Sequence, residues 1–377
     1  MGKPMPLLSN KGKSFIGSYV LGLGFVLSHE QANELIRKDP RNKDVIFPYL
    51  NGDDLNSDPE QKPSRWVINF FEWDEKTAKS YPDCYNIIEQ NVKPERLTKN
   101  DQRGREKWWQ FLRVRRELYN AISELDLVMV LTRVSKYVVV EIVNKRQVFM
   151  EKIVVKTFKD PFYFGVLQSN IYNEWAWKYS STLGSGTINY SPSVCFDTFP
   201  FPVKNDDEIL NNFILDFYYL RKDLMKKSQM GLTKLYNQIH NQKLKAIKDY
   251  NIEDTLFIKD YGKESMYLKK HLKKNSHLEF NEAVSAIENL RQFQIKIDTE
   301  ILALYHWSDI ELRHDFYQVE YLPESDRIRF SIHPDARKEI LSRLLKLNKK
   351  IHSTEDLKHK LPNSKGIMNV NDLPTLF

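Results

Sequence analysis

The sequence predicts an α+β protein, a mixed α/β region followed by a mostly α-helical region that contains a β-hairpin. Three observations carry this. Short β-branched or aromatic runs separated by turn residues fill the first half. The segment "FDTFPFPV" (196–203) then places two prolines where a helix cannot continue. Beyond it, long segments carry apolar residues at helical spacing.

Each element follows from its residues. The runs "VIFPYL" (45–50), "RWVINFF" (65–71), "LVMVLTRV" (127–134), "YVVVEIV" (137–143), "QVFM" (147–150) and "KIVVKTF" (152–158) read as strands, with Asn51-Gly52, Asn144 and Asp160-Pro161 as punctuation. "HEQANELIRK" (29–38) reads as a helix capped by Ser28, with Gln31 completing a capping box. "DEKTAKSY" and "YNIIEQNV" (85–92) are shorter helices, and 162–181 is read as one longer helix. Residues 206–230 form an amphipathic helix, with acids at its start and lysines at its end as the helix dipole favours, and Gly231 is its expected stop. Residues 241–277 are Lys-rich and weakly periodic and are read as a surface insertion. A second long helix covers 279–307, a hairpin covers 316–332, and Pro334 opens a closing helix. From about 353 the chain is read as a polar tail.

A chain of 377 residues, 41% apolar and 12% aromatic, can bury more than one core. It holds no apolar run of the roughly 20 residues a membrane span needs, and "MGKPMPLLSNKGK" has no signal-peptide core. A cytoplasmic protein without a membrane partner is the expectation. Two cysteines, Cys84 and Cys195, give neither a disulfide framework nor zinc spacing, and the nine histidines never pair at i, i+4. No metal site is expected.

Enzymatic signatures fail in turn. Gly17, Gly22 and Gly24 in "GSYVLGLGF", with Asp44 downstream, invite comparison with a phosphate-cradling loop. That device needs a strand before the glycines and a helix starting at them. Here Phe25-Val26-Leu27 intervene, so Gly22 and Gly24 are placed in a strand or bulge. No Pro-Pro pair exists, which excludes the Asn/Asp/Ser-Pro-Pro-aromatic loop of amino-group methyltransferases, and no Gly-x-Ser-x-Gly elbow exists. Glu60-Gln61-Lys62 matches the end of a nuclease metal site, with Asp44 or Asp53 as partner, but it lies in a loop between two prolines. No catalytic and no cofactor-binding residue is assigned.

Charge is more informative. The net charge is +7, and residues 93–116 hold nine Lys/Arg and three acids, nearly the whole surplus. Such a concentrated field suits a polyanion, although a solvated helix face is the plainer reading. Lys93, Arg96, Arg103, Arg105, Lys107, Arg113, Arg115 and Arg116 are the candidate phosphate contacts, with Trp108, Trp109 and Phe111 between them. "VLTRVSKYV" (130–138) interrupts an apolar strand with polar residues, and Arg133 and Lys136 are the candidates for base edges. "YSSTLGSGT" (179–187) is read as a small flexible polar loop able to follow a phosphate backbone through Ser181, Thr182 and Ser185, or equally as an ordinary linker.

A resemblance ties these stretches together. "VIFPYLNGDDLNSDPEQKPSRWVINF", "YPDC", "VKPERL", "REKWWQF", "FGVLQSNIYNEWAWKY" and "YSPSVCFDTFPFP" occur in this order. The chain resembles, over about residues 14–203, the target-recognition region of MmeI-like adenine-specific DNA methyltransferases and combined restriction–modification enzymes. A weaker likeness to that family's helical C-terminal region runs through 231–240 and 297–312. The resemblance implies a DNA target-recognition domain over 1–203, a helical C-terminal domain over 204–352 with 241–277 inserted, and a tail over 353–377. It also implies that S-adenosylmethionine binding and adenine N6 methylation belong to a catalytic domain or subunit absent from this chain. The expected partners are double-stranded DNA and that catalytic domain, in a restriction–modification or phage-defence system. A non-catalytic assembly subunit and, less so, a nuclease stand as alternatives.

Overall fold

The computed structural model describes residues 2–184, 186–204 and 207–360. Its first part runs β1 (Ser14–Ile16), β2 (Val26–Leu27), α1 (His29–Lys38), β3 (Ile46–Leu50), α2 (Gly52–Ser57), β4 (Arg65–Ile68), α3 (Glu75–Lys79), α4 (Pro82–Asn91), α5 (Lys93–Thr98), α6 (Gln102–Glu106) and α7 (Arg116–Ala121). It continues through β5 (Leu127–Thr132), β6 (Val134–Ser135), β7 (Glu141–Asn144), β8 (Val148–Phe149), β9 (Ile153–Lys156), α8 (Pro161–Gln168), α9 (Asn170–Tyr179), β10 (Ser181–Thr182), β11 (Ile188–Asn189) and α10 (Pro192–Cys195). The remainder is α11 (Glu208–Ser228), α12 (Leu232–Ile239), α13 (Asp254–Asn275), α14 (Phe280–Leu304), the antiparallel hairpin β12 (Asp315–Gln318) and β13 (Ile328–Ser331), and α15 (Pro334–Lys360). The α+β class is as expected. Among the described residues no helix is long and apolar enough to cross a membrane.

Two small sheets frame the first part. One has the order β1-β9-β5-β7 and is antiparallel throughout; the other is β2-β4-β3-β8, with β3 and β8 parallel. The second sheet, with α1 and α4, encloses a core of its own drawn from residues 20–114 and Val148. The first sheet shares a single core with α8, α9 and the helices after residue 203. Residue 203 is therefore not a packing boundary: β5 and β9 bury their apolar faces in the same cluster as α11 and α14.

Local chemistry explains where the sequence reading held and where it failed. Ser28 caps α1 and Gln31 closes the capping box as expected. The segment 162–181 is two helices because the Ser169 side chain accepts from the Tyr172 amide, starting a new helix and ending the old one. The expected strand over 137–143 is regular only in β7. Helix α11 stops at Gln229, in left-handed backbone, and not at Gly231. Gly231 instead precedes α12 and lies where a Cβ would meet the Ser57 backbone at 2.4 Å. The 241–277 segment carries α13, whose Phe257, Met266, Leu268 and Leu272 enter the shared core. The closing helix α15 continues past 353 to Lys360, and residues 361–377 of the expected tail lie outside the described residues.

The opening glycines serve close packing. A Cβ on Gly17 would lie 2.2 Å from the Met150 carbonyl oxygen, and one on Gly24 would lie 2.7 Å from the Asn91 backbone. Gly22 precedes the 3-10 turn Leu23–Phe25, and Gly24 lies within it, so neither sits in a strand. Neighbouring backbone thus packs directly on Gly17 and Gly24.

The first sheet also buries a lysine. Lys156 on β9 is 0% exposed; its Nζ lies 3.0 Å from the Tyr190 hydroxyl, 3.3 Å from Ser14 Oγ and 3.9 Å from the centre of the Phe196 ring. Burial pulls its pKa from 10.5 down to about 7. Between those two values the unfolded chain holds more protons than the folded one. Stability is therefore expected to rise with pH across that window, by up to about 1.4 kcal/mol per pH unit, and to fall as pH drops toward 7. Urea titrations of the wild type and Lys156→Met at about pH 7 and about pH 9 check this, because the variant loses that contribution.

Candidate nucleic-acid interface

The basic segment folds as two short helices and an extended stretch. Pro94 sits in the first turn of α5, and Asp101 caps α6 by accepting from the Gly104 amide at 2.6 Å. After α6 the chain turns inward, so Trp108, Trp109 and Phe111 are buried in the core of the β2-β4-β3-β8 sheet. Arg113 then pairs with Tyr19 through backbone hydrogen bonds in both directions. This alternation of anchors leaves Arg103, Arg105, Lys107 and Arg113 exposed, with no ion pair and no side-chain hydrogen bond to any of the described residues. They are the free positive charge of the segment.

Its other cations are already engaged. Arg96 is 3% exposed; its guanidinium holds the carbonyls of Val20 and Leu21 at 2.8 Å, and burial lowers its pKa. It fixes the chain at Leu21, which has a positive φ of 48°, and is out of reach of a phosphate. Arg115 is half-buried, in left-handed backbone at φ 64°, and donates to the Gly17 carbonyl at 3.3 Å. Lys93 pairs with Glu89 at 2.8 Å and lies 4.9 Å from the Trp108 ring centre. Arg116 is exposed, 3.7 Å from Glu72.

The other candidates gather on a third sheet, of order β10-β11-β6. Here the expected flexible loop is a hairpin: Ser181 pairs with Asn189, Thr182 with Ile188, and β11 pairs onward with Val134 and Ser135. The pairing follows the pleat, with Ile188 and Tyr190 buried and Asn189 between them less so. Ser181 and Thr182 are exposed, while Ser185 lies outside the described residues. Arg133 sits where β5 passes into β6. It is half-buried, and its Nε is enclosed without a hydrogen-bond partner. Lys136 is not free as expected: its ammonium lies 3.0 Å from Asp326 and 2.9 Å from the Asn237 side-chain oxygen, which ties β6 to the helical half. Asn189, which the sequence reading passed over, donates across the hairpin to Ser181 Oγ at 3.1 Å. Its strand partner on β10 was the only signal for it, and that pairing is not visible locally.

The nuclease residues do not converge. Glu60 is held by Lys62 at 2.5 Å, Asp44 accepts from the Tyr81 hydroxyl at 2.9 Å, and Asp53 sits in the first turn of α2. Among the described residues no group of three or more His, Cys, Asp or Glu is placed to hold a metal ion.

Comparison with known proteins bears on this arrangement. A family profile described as "MmeI, target recognition domain" matches residues 9–203. No curated protein matches the chain. Among solved structures, one described as the type IIL restriction–modification enzyme MmeI in complex with DNA is similar, with a TM-score of 0.53 and 14% identity. The match covers 94% of this chain and 37% of that one, so this chain spans well under half of that protein. At this identity the likeness concerns the fold, and it extends through the helical half as well as the profile-matched part. Because the profile spans more than half of its residues, the chain belongs to the MmeI target recognition domain family.

Proposed function

We propose that this chain reads the sequence of duplex DNA as the target-recognition part of an adenine-N6 methyltransferase of a restriction–modification or phage-defence system. On this reading S-adenosylmethionine binding and methyl transfer belong to another domain or chain, which is its second partner. The observation that carries the reading is a segment of exposed cations without counter-ions among the described residues, Arg103, Arg105, Lys107 and Arg113, in a member of this family. Free cations of this kind neutralise phosphates and set position, while base edges are read from elements that can enter a groove. The β10–β11 hairpin, exposed at Ser181 and Thr182 and half-buried at Asn189, is the element of suitable size and polarity here, and Arg133 lies beside it. The catalytic part would take the adenine flipped from the stack.

The test is a titration of the purified full chain against duplex DNA over a salt series, with a methyl-transfer assay alongside. A linear fall of log affinity with log salt is expected, together with no transfer of label from S-adenosylmethionine. A slope near zero removes the DNA-reading assignment, and label transfer by the chain alone removes the assignment of catalysis elsewhere.

A further inference from the structure

The β10-β11-β6 sheet is bordered by a cleft that belongs to the helical half. Lys136, next after β6, lines it at one end. Gly186, before β11, rests on the loop between β12 and β13, where a Cβ on it would lie 2.8 Å from Pro323 Cδ. Between α12, α13 and that loop the cleft opens to about 490 Å³.

Its charges are unevenly paired. Asp326 is shared by Lys136 at 3.0 Å and Arg329 at 2.6 Å. Three further cations line the same cleft, Lys243, Lys263 and Arg327. Lys243 and Lys263 are exposed and, among the described residues, have no ion pair or side-chain hydrogen bond. Arg327 gives its Nε to the Leu322 carbonyl, and its terminal nitrogens have no partner among the described residues. Glu264 and Glu324 also line the cleft but pair with none of the three, so the lining holds five cations against three carboxylates.

The backbone explains how two lysines far apart in sequence reach one wall. Helix α13 is broken at Gly262, with φ 80° and ψ 168°. The Lys243 stem packs against that glycine, 3.2 Å from where a Cβ would be. A side chain at 262 would meet that stem and strain the backbone.

Unpaired cations lining one cleft repel one another, and a chain of regularly spaced phosphates relieves that repulsion while releasing counter-ions. A duplex whose groove meets the β10–β11 hairpin must run its backbone alongside it. We infer that this cleft holds phosphates of one strand of duplex DNA, gripped by Lys243, Lys263 and Arg327. The inference rests on the DNA-reading role proposed above and gives the helical half a direct share in binding.

The experiment uses the full chain, a short mixed-sequence duplex and a salt series. Lys243→Ala/Lys263→Ala/Arg327→Ala is expected to lower the slope of log affinity against log salt by about 2.7, at about 0.9 per lost phosphate contact. Its thermal midpoint should stay near the wild type's, because Lys243 and Lys263 are exposed and Arg327 gives up one hydrogen bond, to the Leu322 carbonyl. Lys263→Glu alone should lower affinity further than Lys263→Ala. Lys245→Ala/Lys248→Ala, exposed on the same connector but outside the cleft, should leave the slope unchanged. A flat wild-type slope sinks the DNA-reading role itself. A steep wild-type slope that the triple variant retains, or that the control pair lowers equally, overturns the cleft assignment alone.

Discussion

Arg221→Met is expected to lower folding stability by about 3–5 kcal/mol, because it strands a buried carboxylate. Arg221 on α11 and Glu141 on β7 both have fully buried side chains, and they pair at 3.0 Å. The guanidinium also donates to the Val140 carbonyl at 2.7 Å, to Gln168 Oε1 at 3.2 Å and to the Tyr236 hydroxyl at 3.3 Å. Lys222, 3.4 Å from the other Glu141 oxygen and partly exposed, offsets only part of the loss. Arg221→Met/Glu141→Gln should recover most of it, since removing both charges removes the stranded one. Urea denaturation followed by tryptophan fluorescence and by far-ultraviolet circular dichroism measures the effect. The ion pair joins the profile-matched region to the helices beyond residue 203, so the two probes should show a single transition in the wild type. Separate unfolding of the helices beyond residue 203 and of Trp175 and Trp177 would contradict the shared core, whereas a separate step confined to the β2-β4-β3-β8 core, which holds Trp108 and Trp109, would not.

The second large effect concerns binding. Arg103→Ala/Arg105→Ala/Lys107→Ala/Arg113→Ala should reduce the salt slope of duplex binding by about 3.6 if each residue meets one phosphate. Between about 50 and 200 mM salt, wild-type affinity would then fall about 150-fold more than that of the variant. Arg96→Ala is the informative contrast. It should destabilise the fold, because Arg96 holds the carbonyls of Val20 and Leu21, and leave the slope of the folded protein unchanged. Unequal slopes for these two variants separate phosphate contact from architecture within a single basic segment. Equal slopes would show that the exposed cations are ordinary solvated charge.

Much of the fold was legible. The β-branched runs became β3, β4, β5, β8 and β9, and the periodic segments became α11, α14 and α15. The Ser28/Gln31 capping box formed as written. These features depend on neighbours within a few residues, where side-chain spacing and cap chemistry act directly. The errors have two sources. The Ser169 cap and the left-handed stop at Gln229 are local features that periodicity does not register, whereas the packing of α13 depends on what that segment meets across the core. Similarly, a count of lysines and arginines located the basic segment but did not distinguish Arg96 from Arg103.

The sequence by itself determined the class of the fold, most of its elements and, through an ordered set of motifs, the family. Tertiary structure alone decided which cations remain free. Lys136 meets Asp326, and Arg221 meets Glu141, across long stretches of chain. Lys243 and Lys263 line one cleft beside the break in α13 at Gly262. Periodicity is a local property of backbone geometry, whereas the partner of a charge is set by which surfaces close on each other when the core is buried.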